Sequence, residues 1–231
     1  MLNQNYMEIY MDERLNKYRY ERKYIIQYNF LPAFISKVLS EKFRESYSQR
    51  LVNNIYLDNH EFSSVNDNFD GLSERKKYRI RWYGNSFERS KKTLEIKSKS
   101  EYLNSKKFYK IDKPLKLENL EDVKSFSKKF KTIVKEKYNL SFLDKKIPTL
   151  YNSYKRIYFE NIIDNIRLTI DVDLKYFSPI TKISYKEKYI IIEIKYNSDI
   201  KFINNFNNIS FTRYSKYVKG TSQTTFSNTI Y

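Results

Sequence analysis

Charged and apolar residues alternate along several segments of this chain, and a two-residue period is typical of strands with one buried face. At 77–83, three basic residues take one face, while tyrosine, isoleucine and tryptophan take the other. The same alternation places Glu193 and Lys195 opposite a row of isoleucines. The clearest strands are predicted at 18–28, 77–83, 93–99, 166–174 and 189–196, and weaker ones at 52–58, 105–111, 151–159 and 181–187.

Two longer segments follow the helical period instead, and both carry an apolar stripe. The first spans 31–47 and begins near Pro32, because proline is favoured in a first turn. The second spans 119–138. A short helix is expected around 212–219, before Gly220, and 60–74 is expected to be a polar loop. The predicted stripes are Phe34, Ile35, Val38, Leu39 and Phe43 in the first helix and Val123, Phe126, Phe130, Ile133 and Val134 in the second.

Arginine, and glutamate flanked by lysine, dominate the charged faces of these strands, in place of the Thr, Ser and Gln common on exposed faces. An antiparallel sheet with one solvated face is the alternative explanation. About nine strands with amphipathic helices favour closure, which removes the sheet edges. We therefore predict an α+β fold, a closed antiparallel β-barrel with flanking helices and a charged interior.

Lys and Arg number 44 against 27 Asp and Glu, which gives a net charge of +17 and indicates an anionic partner. No glycine-rich phosphate loop is present, so side chains would have to bind any phosphate. Cysteine is absent and His60 is the single histidine, which argues against thiolate metal sites and His-based catalysis. The first residues include acids and no apolar run, so we expect no signal peptide, no membrane insertion and a cytoplasmic protein.

Acidic residues fall on the same predicted faces as the basic ones. They would offset part of the repulsion in a tunnel of Arg and Lys, and one or two are suited to hold Mg²⁺ or Mn²⁺, which prefer oxygen ligands. Such a tunnel suits linear polyphosphate or a nucleoside triphosphate, since Arg offers bidentate donors to phosphate oxygens. These interior acids are Glu21, Glu95, Asp171 and Glu193.

A set of short motifs, in order along the chain, resembles the VTC domain. This is the polyphosphate polymerase domain of the CYTH-like, or triphosphate tunnel metalloenzyme, superfamily. The resemblance covers about 18–220 and leaves 1–17 as an N-terminal segment and 221–231 as a C-terminal tail. The motifs are RIRWYG at 79–84, LEIK with Lys97, YKRIY with Arg156, IRLTID with Arg167, IEIK with Glu193, and FTRYSKYVKG at 211–220.

The resemblance implies a tunnel that transfers the γ-phosphoryl group of ATP to a growing polyphosphate chain with a divalent metal, often Mn²⁺. It implies that Glu193 holds the metal, and Glu21 and Glu95 are the further candidate ligands among the interior acids. Arg213 and Lys216 would lie on one face of a terminal helix that closes over the substrate, because they are three residues apart. The resemblance further implies phosphate-binding and catalytic roles for Lys23, Arg79, Arg81, Lys97, Lys107 or its neighbour Lys106, Arg156, Arg167 and Lys195.

Two departures from the family pattern bear on the activity. Hydrolytic relatives carry E-x-E-x-K on the first strand, whereas here Arg19 precedes Glu21 and Lys23, which disfavours a triphosphatase or a nucleotide cyclase. No clear counterpart of an upstream arginine is found in 60–70, so activity could be reduced or the substrate different. The lone domain resembles stand-alone bacterial members, and a membrane-protein partner is possible by analogy only.

Two further alternatives belong to other functional classes. A polyphosphate or triphosphate sensor would use the same tunnel without turnover. A nucleic-acid-binding module would need basic residues and stacking aromatics on an outer face, where these strands are aliphatic. We therefore expect no nucleic-acid partner.

Overall fold

The alternating segments form the strands of one antiparallel sheet in the computed structural model, which describes residues 20–85, 88–100, 103–197 and 211–227. The strands are β1 (Tyr20–Gln27), β2 (Arg44–Asp58), β3 (Arg75–Tyr83), β4 (Thr93–Ser100), β5 (Leu103–Lys110), β6 (Ile147–Asn161), β7 (Ile166–Phe177), β8 (Ser184–Lys186) and β9 (Tyr189–Tyr196). The helices are α1 (Leu31–Ser40), α2 (Ser63–Phe69), α3 (Val123–Tyr138) and α4 (Lys216–Thr224). The predicted α+β class is confirmed.

The sheet does not close into a barrel, so this part of the prediction is wrong. Its strand order is β1-β9-β7-β6-β2-β3-β4-β5, with β8 added beside β7. Within the described residues, no backbone pairing joins β1 to β5 at the two ends of this order. The sheet is therefore a curved surface whose ends approach each other without forming a ladder.

Positively charged side chains of β5 and β9 face one another across this gap. Burial, and then the charges of Lys195 and Lys97, lowers the pKa of Lys106 on β5 to about 8. Lys195 belongs to β9, the neighbour of β1, so its influence on Lys106 acts across the gap. A closing ladder would bring the two backbones within about 5 Å of each other and crowd these cations further.

Two long strands at the centre of the sheet, β2 and β6, make it curve. Their pairing shows register shifts near Glu45, Tyr47 and Tyr56, and β6 shifts again against β7 after Ser153. Such bulges bend a strand and increase its twist. The curvature places the charged faces on the concave side, and α1 and α3 cover the apolar convex side.

The apolar stripes of the helices pack as predicted, with one difference in length. Phe34 and Val38 of α1 pack on β7 and β9, and the stripe of α3 packs on β3 and β4. The first helix ends at Ser40 instead of continuing to 47, because Lys42 adopts a left-handed conformation (φ 62°) and β2 begins at Arg44. Leu39 was predicted in the buried stripe but is exposed, whereas Phe43, which lies beyond the helix, reaches the core.

The expected loop at 60–74 contains a short helix, α2, which the sequence pattern did not indicate. Its first turn is held by side-chain acceptors that precede it. The Asn59 Oδ1 atom accepts from the Ser63 amide at 2.8 Å, and the Asp58 Oδ1 atom accepts from the Ser64 amide at 3.2 Å. Polar residues thus build this turn, so no long apolar stripe marks it. No helix among the described residues has the length and apolar character needed to cross a membrane.

The terminal helix α4 runs from Lys216 to Thr224 and packs tightly where Gly220 meets the sheet. A Cβ atom at Gly220 would lie 2.4 Å from Tyr176 Cδ1 and 2.6 Å from Leu150 Cδ2. Both distances are shorter than a van der Waals contact. Only glycine therefore lets this helix sit against β6 and β7.

We expect Gly220→Ala to destabilise the protein by about 1–3 kcal/mol through overpacking. In a solvent-exposed helix the same change would increase the unfolding free energy by about 1 kcal/mol, so the sign of the change shows whether Gly220 is closely packed. Urea denaturation measures it, with Ser222→Ala in the same helix as the control. An unchanged or increased midpoint for Gly220→Ala would contradict the close packing.

Candidate functional site

A cavity of about 190 Å³ lies on the concave side of the sheet, with one end against the start of α4. Nine Lys and Arg residues and three Glu residues line it, so its net charge is strongly positive. The sequence-predicted residues that the structure brings together in this lining are Glu21, Lys23, Arg79, Arg81, Glu95, Lys97, Lys106, Arg156, Glu193, Lys195 and Lys216.

Glu95 holds the two arginines of β3 in place. Its Oε2 atom accepts from Arg79 Nε at 2.7 Å and lies 3.7 Å from Arg81 Nη1. Burial works to raise the pKa of Glu95, but Arg79 and Arg81 outweigh it and keep that pKa below its usual range. Arg81 Nε also donates to Asn54 Oδ1 at 2.8 Å, and Asn54 in turn donates to Asn152. The guanidinium groups are thus fixed with part of each fork facing the cavity.

Asp171 lies behind the lining and joins a strand arginine to the terminal helix. It is fully buried, and it accepts from Arg156 Nε at 2.5 Å and from Arg156 Nη2 at 2.7 Å. Lys216 Nζ, at the start of α4, lies 2.5 Å from the second carboxylate oxygen. Burial alone would raise the pKa of Asp171, but the charges of Arg156 and Lys216 outweigh burial, and the pKa lies below its usual value. This buried triad therefore positions both cations at the edge of the cavity.

Glu21 and Glu193 form a second cluster with two lysines of neighbouring strands. Lys23 Nζ is 3.0 Å from Glu21 and 3.9 Å from Glu193, and Lys195 Nζ is 2.8 Å from Glu193 and 3.7 Å from Glu21. Burial opposes ionisation of Glu193, but Lys195 and Lys23 outweigh burial and hold its pKa well below the usual range. Both carboxylates are therefore ionised at neutral pH.

The donor set of this cluster fits a divalent metal that is shared with a phosphate ligand. Within the residues that the structure describes, no group of three or more acidic or histidine side chains is arranged as a metal site. Mg²⁺ at phosphate sites is usually bound by one or two carboxylates plus phosphate oxygens and water. Glu21 and Glu193 meet that need, whereas the Glu95 carboxylate is engaged by two arginines.

The segment before α4 closes one end of the cavity and was only partly foreseen. Thr212 N donates to Lys23 O at 2.9 Å, and Lys23 Nζ donates to Tyr214 O at 3.1 Å. Tyr217 OH donates to the buried Asp58 at 2.9 Å. Tyr214 and Tyr217 also line the cavity. Sequence analysis missed these tyrosines because nothing in the local pattern links residue 214 or 217 to strands so far away in the chain.

Lys77 is a lining residue that the strand pattern had placed on the charged face without assigning it a role. Its Nζ atom donates to Asn68 Oδ1 and, at 3.1 Å, to Ser215 Oγ. Burial, followed by the charges of Lys97 and Lys23, lowers the pKa of Lys77 to about 7. Lys77 therefore loses its proton more easily than an ordinary lysine, and a bound anion would raise its pKa again.

Lys107 and Arg213 lie away from the cavity. Lys106 faces Lys97 on the concave side, so its neighbour Lys107 projects from the opposite face of β5 and is exposed. Arg213 precedes α4, which begins at Lys216, so the expected helical spacing between the two does not apply.

Arg167 also lies outside the lining, although it is on the charged face of β7. It is exposed near the start of β7, where it is paired in register with Glu160 of β6 and Lys195 of β9. A ligand longer than the cavity would pass close to it. Arg19, on which the argument against hydrolysis rests, lies outside the described residues.

We expect Asp171→Asn to lose about 3 kcal/mol of unfolding free energy, because it leaves buried Arg156 and Lys216 without their anion. The pKa of Asp171 is lowered in the fold, so its contribution is present above its unfolded pKa and lost as pH falls. The difference from wild type should therefore shrink below about pH 4.

Asp173→Asn is the matched control on the same strand, because Asp173 forms an exposed pair with Lys155 and Asn tolerates its positive φ equally well. Its cost should stay below about 1 kcal/mol. Chemical denaturation over a pH series measures both variants, and equal costs at neutral pH would contradict the buried triad.

Lys77→Met should reduce the proton uptake that accompanies tripolyphosphate binding. At pH values above about 7 the free Lys77 is largely neutral, and a bound polyanion raises its pKa, so a proton is taken up. Calorimetry in buffers of different ionisation enthalpy should show about one proton less for the variant near pH 8. Lys107→Met, on the outer face, should match wild type; equal uptake in all three proteins would exclude Lys77.

Several solved structures are similar to this chain. A candidate adenylate cyclase from Bacillus halodurans is 12% identical, with 88% of this chain and 96% of that chain covered and a TM-score of 0.52. A candidate adenylyl cyclase from Hippeastrum, described as having a dominant triphosphatase activity, is 14% identical (88% and 95% covered, TM-score 0.48). A Pyrococcus horikoshii protein is also 14% identical (87% and 97% covered, TM-score 0.46). At 12% identity, the likeness to the Bacillus halodurans structure concerns the fold alone.

A search of curated proteins gives no match. The model of the VTC domain family matches residues 18–225, which include all nine strands and α4. The resemblance drawn from the motifs is thereby confirmed, and the chain belongs to the VTC domain family.

Proposed function

We propose that this protein is a polyphosphate polymerase-like phosphotransferase that uses ATP. A terminal oxygen of the polyphosphate chain attacks the γ-phosphorus, and the bond between that phosphorus and the β–γ bridging oxygen breaks. ADP leaves with the bridging oxygen, and the chain is one phosphate longer. Membership of the VTC domain family supports this reaction class.

The charge of the cavity is the observation that carries the proposal. Nine cationic side chains surround a space with only three lining carboxylates, and all twelve lie on the concave face or at the start of α4. A polyanion with several charges along its length is the ligand that best neutralises such a lining. Arginines 79, 81 and 156 are each oriented by a carboxylate, so they present prearranged donors to phosphate oxygens.

Positioning and electrostatic stabilisation account for catalysis by such a lining. Phosphoryl transfer spreads negative charge over the equatorial oxygens, and fixed cations stabilise that charge without reorganising. Lys77, Lys97 and Lys106 add point charges from β3, β4 and β5, beside Arg79 and Arg81. Lys23 and Lys195 lie between the two carboxylates of β1 and β9 and neutralise them until a ligand competes.

Glu193 and Glu21 would hold a divalent metal, Mn²⁺ or Mg²⁺, together with phosphate oxygens. When bound, the metal supplies charge neutralisation at the phosphates. Glu95 is better suited to orienting Arg79 and Arg81 than to metal binding. The three metal ligands predicted from the sequence are thereby reduced to two, Glu21 and Glu193.

A polyphosphate or triphosphate sensor is the second candidate, and one observation favours it. Both carboxylates of the metal pair are already engaged by Lys23 and Lys195. If those ion pairs persist when phosphate binds, the cavity binds a polyanion without metal and without turnover.

Incubation of the protein with ATP and Mn²⁺, followed by electrophoresis of the products, separates these functions. We expect a ladder of growing polyphosphate chains, and Glu193→Gln should abolish it while tripolyphosphate still binds. Glu118→Gln, which alters an exposed ion pair with Lys116, is the control and should leave the ladder intact.

Binding of tripolyphosphate with no product would favour the sensor. Release of single phosphates without a ladder would favour a triphosphatase. Full activity in Glu193→Gln would remove Glu193 from the mechanism.

A further inference from the structure

Three tyrosines surround Arg50 on the concave face, beyond the arginines of the cavity. We call Arg50, Tyr47, Tyr83 and Tyr158 the tyrosine–arginine cluster. The Arg50 guanidinium carbon lies 4.9 Å from the ring centre of Tyr47, 5.8 Å from that of Tyr158 and 5.9 Å from that of Tyr83. The rings of Tyr47 and Tyr158 meet edge to face, 5.8 Å apart at 81°. Three separate strands thus contribute to one aromatic surface.

The strand register places this cluster at the open end of the cavity. Arg50 is paired directly with Arg156, and Tyr47 with Tyr158. Tyr83 follows Arg81 by two residues on β3, so both side chains point to the same side of the sheet. Two residues along a strand span about 7 Å. The cluster therefore begins about 7 Å beyond the arginines that line the cavity, a distance that a ribose can span, at the end opposite to α4.

Solvent reaches the cluster, and its positive charge is not neutralised by an acid among the described residues. Tyr47 is 57% exposed and Tyr83 is 47% exposed, and Arg50 is also exposed. Among the residues that the structure describes, no carboxylate forms a salt bridge with Arg50. Exposed large aromatics are costly to keep in water, so two exposed tyrosines and the half-buried Tyr158 around one cation indicate a surface that receives a ligand.

The chemistry of the cluster matches a planar heterocycle better than a phosphate chain. Aromatic rings and guanidinium planes stack on nucleobases, and such stacking accepts any base because each has a π face. A polyphosphate chain has no planar face, and tyrosine rings would displace its hydration without compensation. The lysines and arginines that suit phosphate lie deeper, in the cavity.

We propose that the tyrosine–arginine cluster binds the nucleobase of the nucleoside triphosphate whose phosphates enter the cavity between Arg81 and Arg156. This rests on the proposed function, because it assumes a nucleotide donor. It assigns Tyr47, Tyr83 and Arg50 as the residues that distinguish a nucleotide from an inorganic triphosphate. Because stacking reads no base edges, ATP and GTP should bind almost equally.

Calorimetric titration of the full chain with two probes, a β,γ-imido analogue of ATP and inorganic tripolyphosphate, tests the inference without turnover. Tyr47→Leu combined with Tyr83→Leu should weaken the nucleotide about tenfold, the size of one lost stacking contact. Tripolyphosphate affinity should stay within about twofold, since no cavity charge changes. Arg50→Lys keeps the charge but removes the plane, so it should weaken the nucleotide alone.

Tyr20→Leu is the matched control, because Tyr20 is equally exposed (57%) but stacks on Tyr196 over the convex side, where Arg22 lies 5.8 Å from the same ring. It should bind both probes as wild type does. All substituted rings are exposed, so the variants should keep the thermal midpoint of the wild type, which a melting curve checks.

Equal weakening of both probes, or no weakening of the nucleotide, would overturn the assignment of the cluster while leaving the phosphate cavity intact. Failure of wild type to bind tripolyphosphate would overturn the proposed function and, with it, this inference. A tenfold loss confined to the nucleotide would support both.

Discussion

Repulsion among cations on one concave surface is the constraint on which the rest of this structure depends. The fold meets it by letting each acid serve two cations. Glu95 serves Arg79 and Arg81, while Asp171 serves Arg156 and Lys216. Glu21 and Glu193 share two lysines in the same manner. Because each of these acids contacts two cations, the cations are held in place but the face keeps an excess of positive charge. A phosphate ligand would bind to that excess charge.

The strand pattern allowed much of this arrangement to be predicted. A two-residue period determines which side chains share a face, so the placement of Arg79 with Arg81, or Glu193 with Lys195, follows from the sequence alone. The apolar stripes of α1 and α3 were found for the same reason at the helical period. The family motifs then indicated the enclosed face, and most of the residues that they named do line one cavity.

Features that depend on contacts between distant segments could not be predicted in this way. Closure of the sheet depends on whether β1 and β5, which are far apart in the chain, pair with each other, and no local pattern encodes this. The choice between Lys106 and Lys107 needed the register of β5 against β4. The link from Lys23 to Tyr214 spans most of the chain, and the rings around Arg50 come from three strands, with bulges in β2 that alternation does not reveal.

The two edge strands of the described sheet, of which β1 is partly covered by the segment at Thr212, have a consequence for the protein in solution. An exposed edge strand offers free backbone donors and acceptors to another chain, and flat apolar edges lead to aggregation. Here β5 carries Lys106, Lys107 and Lys110, while β1 carries Arg22 and Lys23. A second copy docking edge to edge would have to bring these cations together. The cations along these two strands should thus disfavour the joining of one molecule's strands to those of another.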